Sequence, residues 1–330
     1  MTTVRELGEQ GLLQRLQAFC PAGLVGDDAA ILSLPAGEQL VVTTDVLVDG
    51  VHFSDRTTAA FDAGWRAAAA NLSDLAAMGA TPIALTVGLG LPSHLSVTWV
   101  DQLYQGLTAC LSPFHTPIAG GDVVRSPVIT LSITALGRVT PDRLIQRQVA
   151  QPDQAIVATG YHGASRAGLE CMLNPDAARS LPDDLRQTWI TAHQRPSPRL
   201  DVVPWLWDTG ETGAIAGMDS SDGLADAVLQ ICRASGVGAQ LERSQLPIPP
   251  GLCDWVGAIQ ATQWTLYGGE DFELVLCLPW QKAQQLVTQL GRGATILGRT
   301  RVDREVWLTD TGDRYPPERL TLEQGFQHYS

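Results

Sequence analysis

The chain has 330 residues, 45% hydrophobic and 17% charged, with a net charge of -13, which is enough for two domains with separate cores. That acidic balance excludes a nucleic-acid partner, because such a surface repels a phosphate backbone. No apolar run reaches the length of a membrane span and Met1-Thr2-Thr3-Val4-Arg5 lacks a signal-peptide core, so a soluble cytoplasmic protein without a membrane partner is expected. Cysteines at 20, 110, 171, 232, 253 and 277 have no zinc spacing and mostly apolar neighbours, and read as free thiols of a reducing compartment.

In chain order, Gln39–Thr44, Ile83–Leu89 and Val128–Val139 are rich in Val, Ile, Leu and Thr and are predicted strands. Between the first two, Phe61, Trp65, Ala68, Leu72, Leu75 and Met78 recur at helical spacing, which predicts a helix over Phe61–Gly79 stopped by its glycine. A second helix is expected from about Val97 to Leu111. The Pro-Asp-Gln stretch after Ala150 reads as a junction, dividing the chain into residues 1–150 and 151–330. Beyond it, strands are predicted at Ala155–Thr159, Ala214–Met218, Gly238–Glu242, Phe272–Leu278 and Ala294–Arg299. Helices are predicted at Asp183–His193, Leu200–Asp208, Asp222–Ala234 and Trp280–Leu290. Both halves are α+β.

Six short segments each end in a carboxylate, in a chain with one lysine. They are Gly26-Asp27-Asp28, Thr43-Thr44-Asp45, Asn71-Leu72-Ser73-Asp74, Gly120-Gly121-Asp122, Asp219-Ser220-Ser221-Asp222-Gly223 and Gly268-Gly269-Glu270-Asp271. Carboxylates gathered at one site repel by roughly 4 kcal/mol per close pair at an effective dielectric near 20. Magnesium relieves that repulsion, and hard oxygen donors are what it takes when it carries polyphosphate. Thr43-Thr44-Asp45 is read as closing a strand, with two hydroxyls and a carboxylate in a small volume. Asn71 and Asp74 share one helix face. Gly120-Gly121-Asp122 is read as a turn open to phosphate, and Asp219–Gly223 as a strand-to-helix junction that aims helix amides at an anion. The charges of Gly268–Asp271 are expected to be buried only if bound. Each segment also has a plain reading as a solvated turn or a helix cap; the case rests on the set. Arg125 and Arg147 are cationic partners for phosphate, and His52 lies in a charged loop.

No G-x-x-x-x-G-K-[ST] and no V-A-I-K, H-R-D or D-F-G set occurs, which excludes P-loop and protein-kinase chemistry. The lone Lys282, on an amphipathic helix, is expected to be solvated.

Taken together, these segments resemble the thiamine-monophosphate kinase family, within the superfamily of aminoimidazole ribonucleotide synthetase. The resemblance runs from Gly26 nearly to the C-terminus, through Val41–Asp45 with Gly50–Phe53, Asn71–Ala80, Gly120–Asp122, Arg195-Pro196-Ser197-Pro198-Arg199, Asp219–Leu224 and Gly268–Leu274. Leu24 replaces a glycine common in the family, and Val123-Val124 stand where hydroxyls are common. The resemblance implies a two-domain α+β fold of the aminoimidazole ribonucleotide synthetase type. Its first domain would bind ATP and magnesium and lend strands to a barrel shared in a homodimer; its second, a mixed α/β sandwich, would complete the active site. It implies γ-phosphoryl transfer from ATP to thiamine monophosphate, yielding thiamine diphosphate, assisted by several magnesium ions and without a general base. Asp28, Thr43, Thr44, Asp45, Asp74, Asp122, Asp219 and Asp222 would be magnesium ligands, with Asp45, Asp74 and Asp122 acting on catalysis through metal. Gly120, Gly121, Arg147 and Ser221 would hold ATP, and His52, Glu270 and Phe326 would contact thiamine monophosphate. The alternatives are another ATP-dependent synthetase of the superfamily and a non-catalytic nucleotide-binding regulator.

Overall fold

The computed structural model describes residues 2–25, 29–207 and 214–324. The chain separates into two compact units, Met1–Leu75 with Ala80–Pro141, and Ala76–Gly79 with Asp142–Ser330. Among the described residues no helix is long and apolar enough to cross a membrane.

The first unit contains α1 (Val4–Gln17), β1 (Gln39–Val48), α2 (Ala60–Ala77), β2 (Thr81–Leu91), α3 (Val97–Leu111), β3 (Ile118–Arg125) and β4 (Thr130–Val139). Its four strands lie in the order β1-β4-β2-β3, with β1 and β2 antiparallel to β4 and β3 parallel to β2. Strand periodicity decides which residues are covered. Leu131, Ile133, Ala135, Gly137 and Val139 of β4 are buried, while the residues that alternate with them are only half-buried. On β1 the alternate residues Leu40, Val42 and Val46 remain 48–56% exposed. Helices α2 and α3 carry the fully buried Leu72, Leu75, Leu103 and Leu107. They also approach closely: a Cβ on Gly64 would lie 1.9 Å from the Leu103 carbonyl oxygen, and one on Gly106 would lie 1.8 Å from that of Phe61.

The second unit contains β5 (Ala155–Ala158), α4 (Ala164–Leu173), α5 (Asp183–Gln194), β6 (Ala216–Asp219), α6 (Leu224–Ser235), β7 (Gly238–Glu242), α7 (Leu252–Val256), α8 (Ala258–Tyr267), β8 (Leu274–Leu278), α9 (Trp280–Leu290), β9 (Thr295–Arg301), β10 (Val306–Thr309) and β11 (Glu318–Arg319). The seven-stranded sheet runs β11-β10-β7-β9-β5-β8-β6, antiparallel except for β7 with β10. Ile156, Met218, Val228, Ile231, Leu241, Val275, Leu297 and Leu308 form its main core. A second cluster holds Cys171, Trp189, Leu252 and Ala261, and there Trp189 stacks on Trp255 with centroids 5.5 Å apart.

Several expectations need correction. Thr43-Thr44-Asp45 does not close its strand: β1 runs on to Val48 and pairs with β4 over its whole length. Gly120-Gly121-Asp122 is not a turn but part of β3. The helix expected over Leu200–Asp208 is, in its described part, two short 3-10 turns, Arg199–Asp201 and Val203–Leu206. Pro204 supplies the reason, since it has no amide hydrogen and disfavours helical backbone in the residue before it. Lys282 is buried rather than solvated: α9 turns it inward with Ala283 and Leu286, and its ammonium lies 5.3 Å from the centroid of the Trp207 ring. An apolar four-carbon stem and a cation–π contact make that burial tolerable.

Candidate active site

In the first unit, helix α2 lies against strand β1 through polar side chains. The Thr43 hydroxyl donates to Asp74 Oδ2, and the Asp45 amide donates to Asn71 Oδ1 at 3.3 Å. Asn71 is held in turn by its own amide group, which donates to the Ala67 carbonyl at 2.9 Å. The shared face of Asn71 and Asp74, expected from their spacing, therefore meets the one face of β1 that carries Thr43 and Asp45. Thr44 falls on the opposite face, where its hydroxyl lies 2.9 Å from that of Thr134. The compact three-oxygen group expected of Thr43, Thr44 and Asp45 does not form, because neighbouring strand residues point to opposite sides.

Asp122 is not brought to this group. Asp45 pairs with Ile133, which pairs with Val87, which pairs with Gly121, so the row crosses the sheet from one edge to the other. Three strand spacings make this about 14 Å. At the far edge the two glycines serve the sheet itself. Gly120 has φ 151, where the β2–β3 register shifts so that Ala119 is an extra residue. A Cβ on Gly121 would lie 2.0 Å from the Val87 carbonyl oxygen. His52 follows β1 in a tight turn, its Nδ1 accepting from the Val48 amide at 3.1 Å. Asp28 and Phe326 lie outside the described residues.

In the second unit, β6 ends at Asp219 and α6 begins at Leu224, which is the strand-to-helix junction expected. The cap of α6 is Gly223 with no side-chain cap bond, so neither Ser221 nor Asp222 is spent on capping. Asp219 and Ser220 are buried, Ser221 is half-buried and Asp222 is exposed. Arg147, on the turn Arg147–Val149, belongs electrostatically to this junction. Asp226, in the first turn of α6, has its carboxyl pushed up by burial and by Asp222, with Arg147 opposing. Asp226 was not singled out from the sequence; its signal was a carboxylate four residues after Asp222.

Behind this loop lies a hydrogen-bonded frame. The Ser220 amide donates to the Glu273 carbonyl at 2.9 Å, and the Glu270 amide donates to the Ser221 carbonyl at 2.7 Å. His162, fully buried, has Nδ1 3.0 Å from the Gly160 carbonyl and Nε2 2.9 Å from the Ser220 hydroxyl. A carbonyl only accepts, so Nδ1 carries the proton, and the single Ser220 hydroxyl proton is shared between Nε2 and the Glu273 carbonyl 3.1 Å away. Burial lowers the pKa of this imidazole to about 4, keeping it neutral. Glu273 is bonded by the Thr159 hydroxyl at 2.5 Å and paired with Arg199, the last residue of the Arg195–Arg199 segment. Burial raises the pKa of Glu273, and Arg199 opposes the rise.

Glu270 and Phe272 both have left-handed backbones, at φ 58 and φ 53. For residues with a Cβ this costs about 1–2 kcal/mol each. Asp271 between them is part-buried, and its partners are not a ligand. It accepts from the Gly163 amide at 2.7 Å and the Ser165 amide at 2.9 Å, at the start of α4. Burial pushes its carboxyl up to about 7 against these two bonds. The expectation that these charges would be buried only by binding is thus corrected for Asp271.

The donors named in both units are carboxylates and hydroxyls, the chemistry that suits magnesium. Among the described residues, no three or more His, Cys, Asp or Glu gather as a self-sufficient metal cage. Such a set fits an ion that takes one or two carboxylates and completes its sphere with water and phosphate.

Comparison with known proteins gives a consistent picture. The family model described as AIR synthase related protein, N-terminal domain, matches residues 26–139. The thiamine-monophosphate kinase of Synechococcus elongatus is 54% identical over 331 residues, covering 99% of this chain and 98% of that protein. The crystal structure of thiamine-monophosphate kinase from Stenotrophomonas maltophilia superposes with a TM-score of 0.78 at 33% identity, covering 92% of this chain and 96% of the other. A structure described as AaThiL complexed with AMPPCP and TMP gives a TM-score of 0.73 at 28% identity, covering 97% and 98%.

Proposed function

The chain belongs to the thiamine-monophosphate kinase family, and from that premise we propose that it transfers the γ-phosphoryl group of ATP to the phosphate of thiamine monophosphate, giving thiamine diphosphate and ADP. One observation carries the reading: 54% identity to the Synechococcus elongatus enzyme over 99% of this chain. The complex of AaThiL with AMPPCP and TMP supports the choice of substrates.

Donor and acceptor are both anionic phosphates, and the acceptor oxygen carries no proton that must be removed. Positioning and charge neutralisation then carry the reaction, with no general base and no phosphoenzyme. Magnesium, when bound, would neutralise the phosphate oxygens and orient them. Asp74, held by the Thr43 hydroxyl, and Asp45 would hold it at one edge of the first sheet, and Asp122 at the other. The separation of those edges, about 14 Å, supports more than one ion. Asp219 and Asp222 would act likewise in the second unit, and Asp28, Thr43 and Thr44 complete the set inferred from the family's motifs. Arg147, Ser221, Gly120 and Gly121 would hold ATP; His52, Glu270 and Phe326 would contact thiamine monophosphate.

A second copy would dock on β1. This edge strand of ten residues has one ladder partner and exposes Leu40, Val42 and Val46, which supports a homodimer. Six cysteines, all free, support a reducing cytoplasm. Purified protein given ATP, magnesium and thiamine monophosphate should release thiamine diphosphate and ADP. ADP with unchanged thiamine monophosphate would point instead to another ATP-dependent synthetase, and ATP binding without turnover to a regulator.

A further inference from the structure

Glu270 and Asp271 are both tied to Ser165, by different routes. The Ser165 amide donates to Asp271 Oδ1 at 2.9 Å, and the Ser165 hydroxyl lies 3.0 Å from His193 Nδ1. That same nitrogen lies 3.7 Å from Glu270 Oε2. His193 is buried, whereas the Glu270 side chain is 36% exposed. The circuit closes on a backbone that would not adopt its shape unaided, since the residues on either side of Asp271 are left-handed without being glycine. The Asp271 carboxylate meets two amides, one on each oxygen, at the start of α4.

We propose that Asp271 is a positioning residue for the reaction: by gripping the Gly163 and Ser165 amides it holds Glu270 in its strained backbone and so fixes where the Glu270 carboxylate points. The consequence is specificity for the phosphate acceptor, whose cationic ring Glu270 is suited to read, with little influence on nucleotide. This rests on the assignment of Glu270 to thiamine monophosphate.

The test uses Asp271→Asn, Glu270→Gln and the double variant. Asparagine keeps the size but turns one acceptor into an NH₂ donor facing an amide donor, so one of the two bonds must break. Asp271→Asn should raise the KM for thiamine monophosphate about tenfold and leave the KM for ATP within about twofold, and the double variant should be no worse than Glu270→Gln alone. Equal losses for both substrates, or additive effects in the double variant, would overturn the proposal. Glu270→Gln raising that KM while Asp271→Asn does nothing would overturn it and leave the Glu270 assignment standing. A silent Glu270→Gln would remove both. Should Asp271→Asn not fold, the wild-type protein still decides. Thiamine monophosphate without nucleotide should slow hydrogen exchange at the Gly163 and Ser165 amides, and unchanged exchange there would refute the proposal.

Discussion

Replacing His162 with glutamine should flatten the acid sensitivity of the fold. The buried imidazole has its pKa lowered from 6.5 to about 4, because burial penalises the charged ring. In the unfolded chain it protonates near 6.5, so between these values the unfolded state binds the extra proton. Stability from this group is therefore complete above about pH 7 and is lost as pH falls from 6.5 towards 4. At 1.36 kcal/mol per pKa unit the full loss is about 3 kcal/mol, of which about 2 kcal/mol is gone at pH 5. Urea unfolding of wild type and His162→Gln at pH 7.5 and pH 5 measures it. At pH 7.5 the variant is the weaker protein, having lost the bond to Ser220. Between the two pH values the wild type should lose about 2 kcal/mol more than the variant, other groups titrating alike in both. Equal pH dependence would refute the reasoning, and with it the neutral Nδ1–H tautomer.

Asp74→Ala should nearly abolish turnover while circular dichroism and Tm stay close to wild type; full activity at saturating magnesium would remove Asp74 from the metal ligands. Thr43→Val removes the hydroxyl bonded to Asp74 and should raise the magnesium concentration for half-maximal rate several-fold, with kcat changing less. Gly121→Ala places a methyl group 2.0 Å from the Val87 carbonyl oxygen and should cost about 1–3 kcal/mol in urea unfolding. Val42→Asp, on the exposed face of β1, should convert a dimer to a monomer in light scattering, at unchanged helix content.

How far the sequence could be read depends on the range of each interaction. The helices α2 and α3 were legible because their apolar stripes are local, and the common face of Asn71 and Asp74 followed from the same period. Glycine misled where it serves packing: Gly120-Gly121 signals a turn, yet β3 uses the first for a bulge and the second to lie against β2. Strand length misled at Thr43–Asp45, since the partner that carries β1 on to Val48 is β4, far along the chain. The frame behind the Asp219–Asp222 loop left no local signal. His162 meets Ser220 across 58 residues, and Asp271 meets Gly163 across 108. Motif reading pointed to the residues proposed to face a ligand and included Arg199 and Asp271 without their roles; it missed His162, whose reason lies in tertiary contact alone.

A rapid-quench single turnover with ATP labelled in its γ-phosphoryl group, magnesium and thiamine monophosphate tests the account most directly. Direct transfer predicts that the label enters thiamine diphosphate at the rate ADP appears, with none on the protein at any time. Label found in inorganic phosphate beside unchanged thiamine monophosphate, or trapped on the polypeptide before product forms, would contradict it.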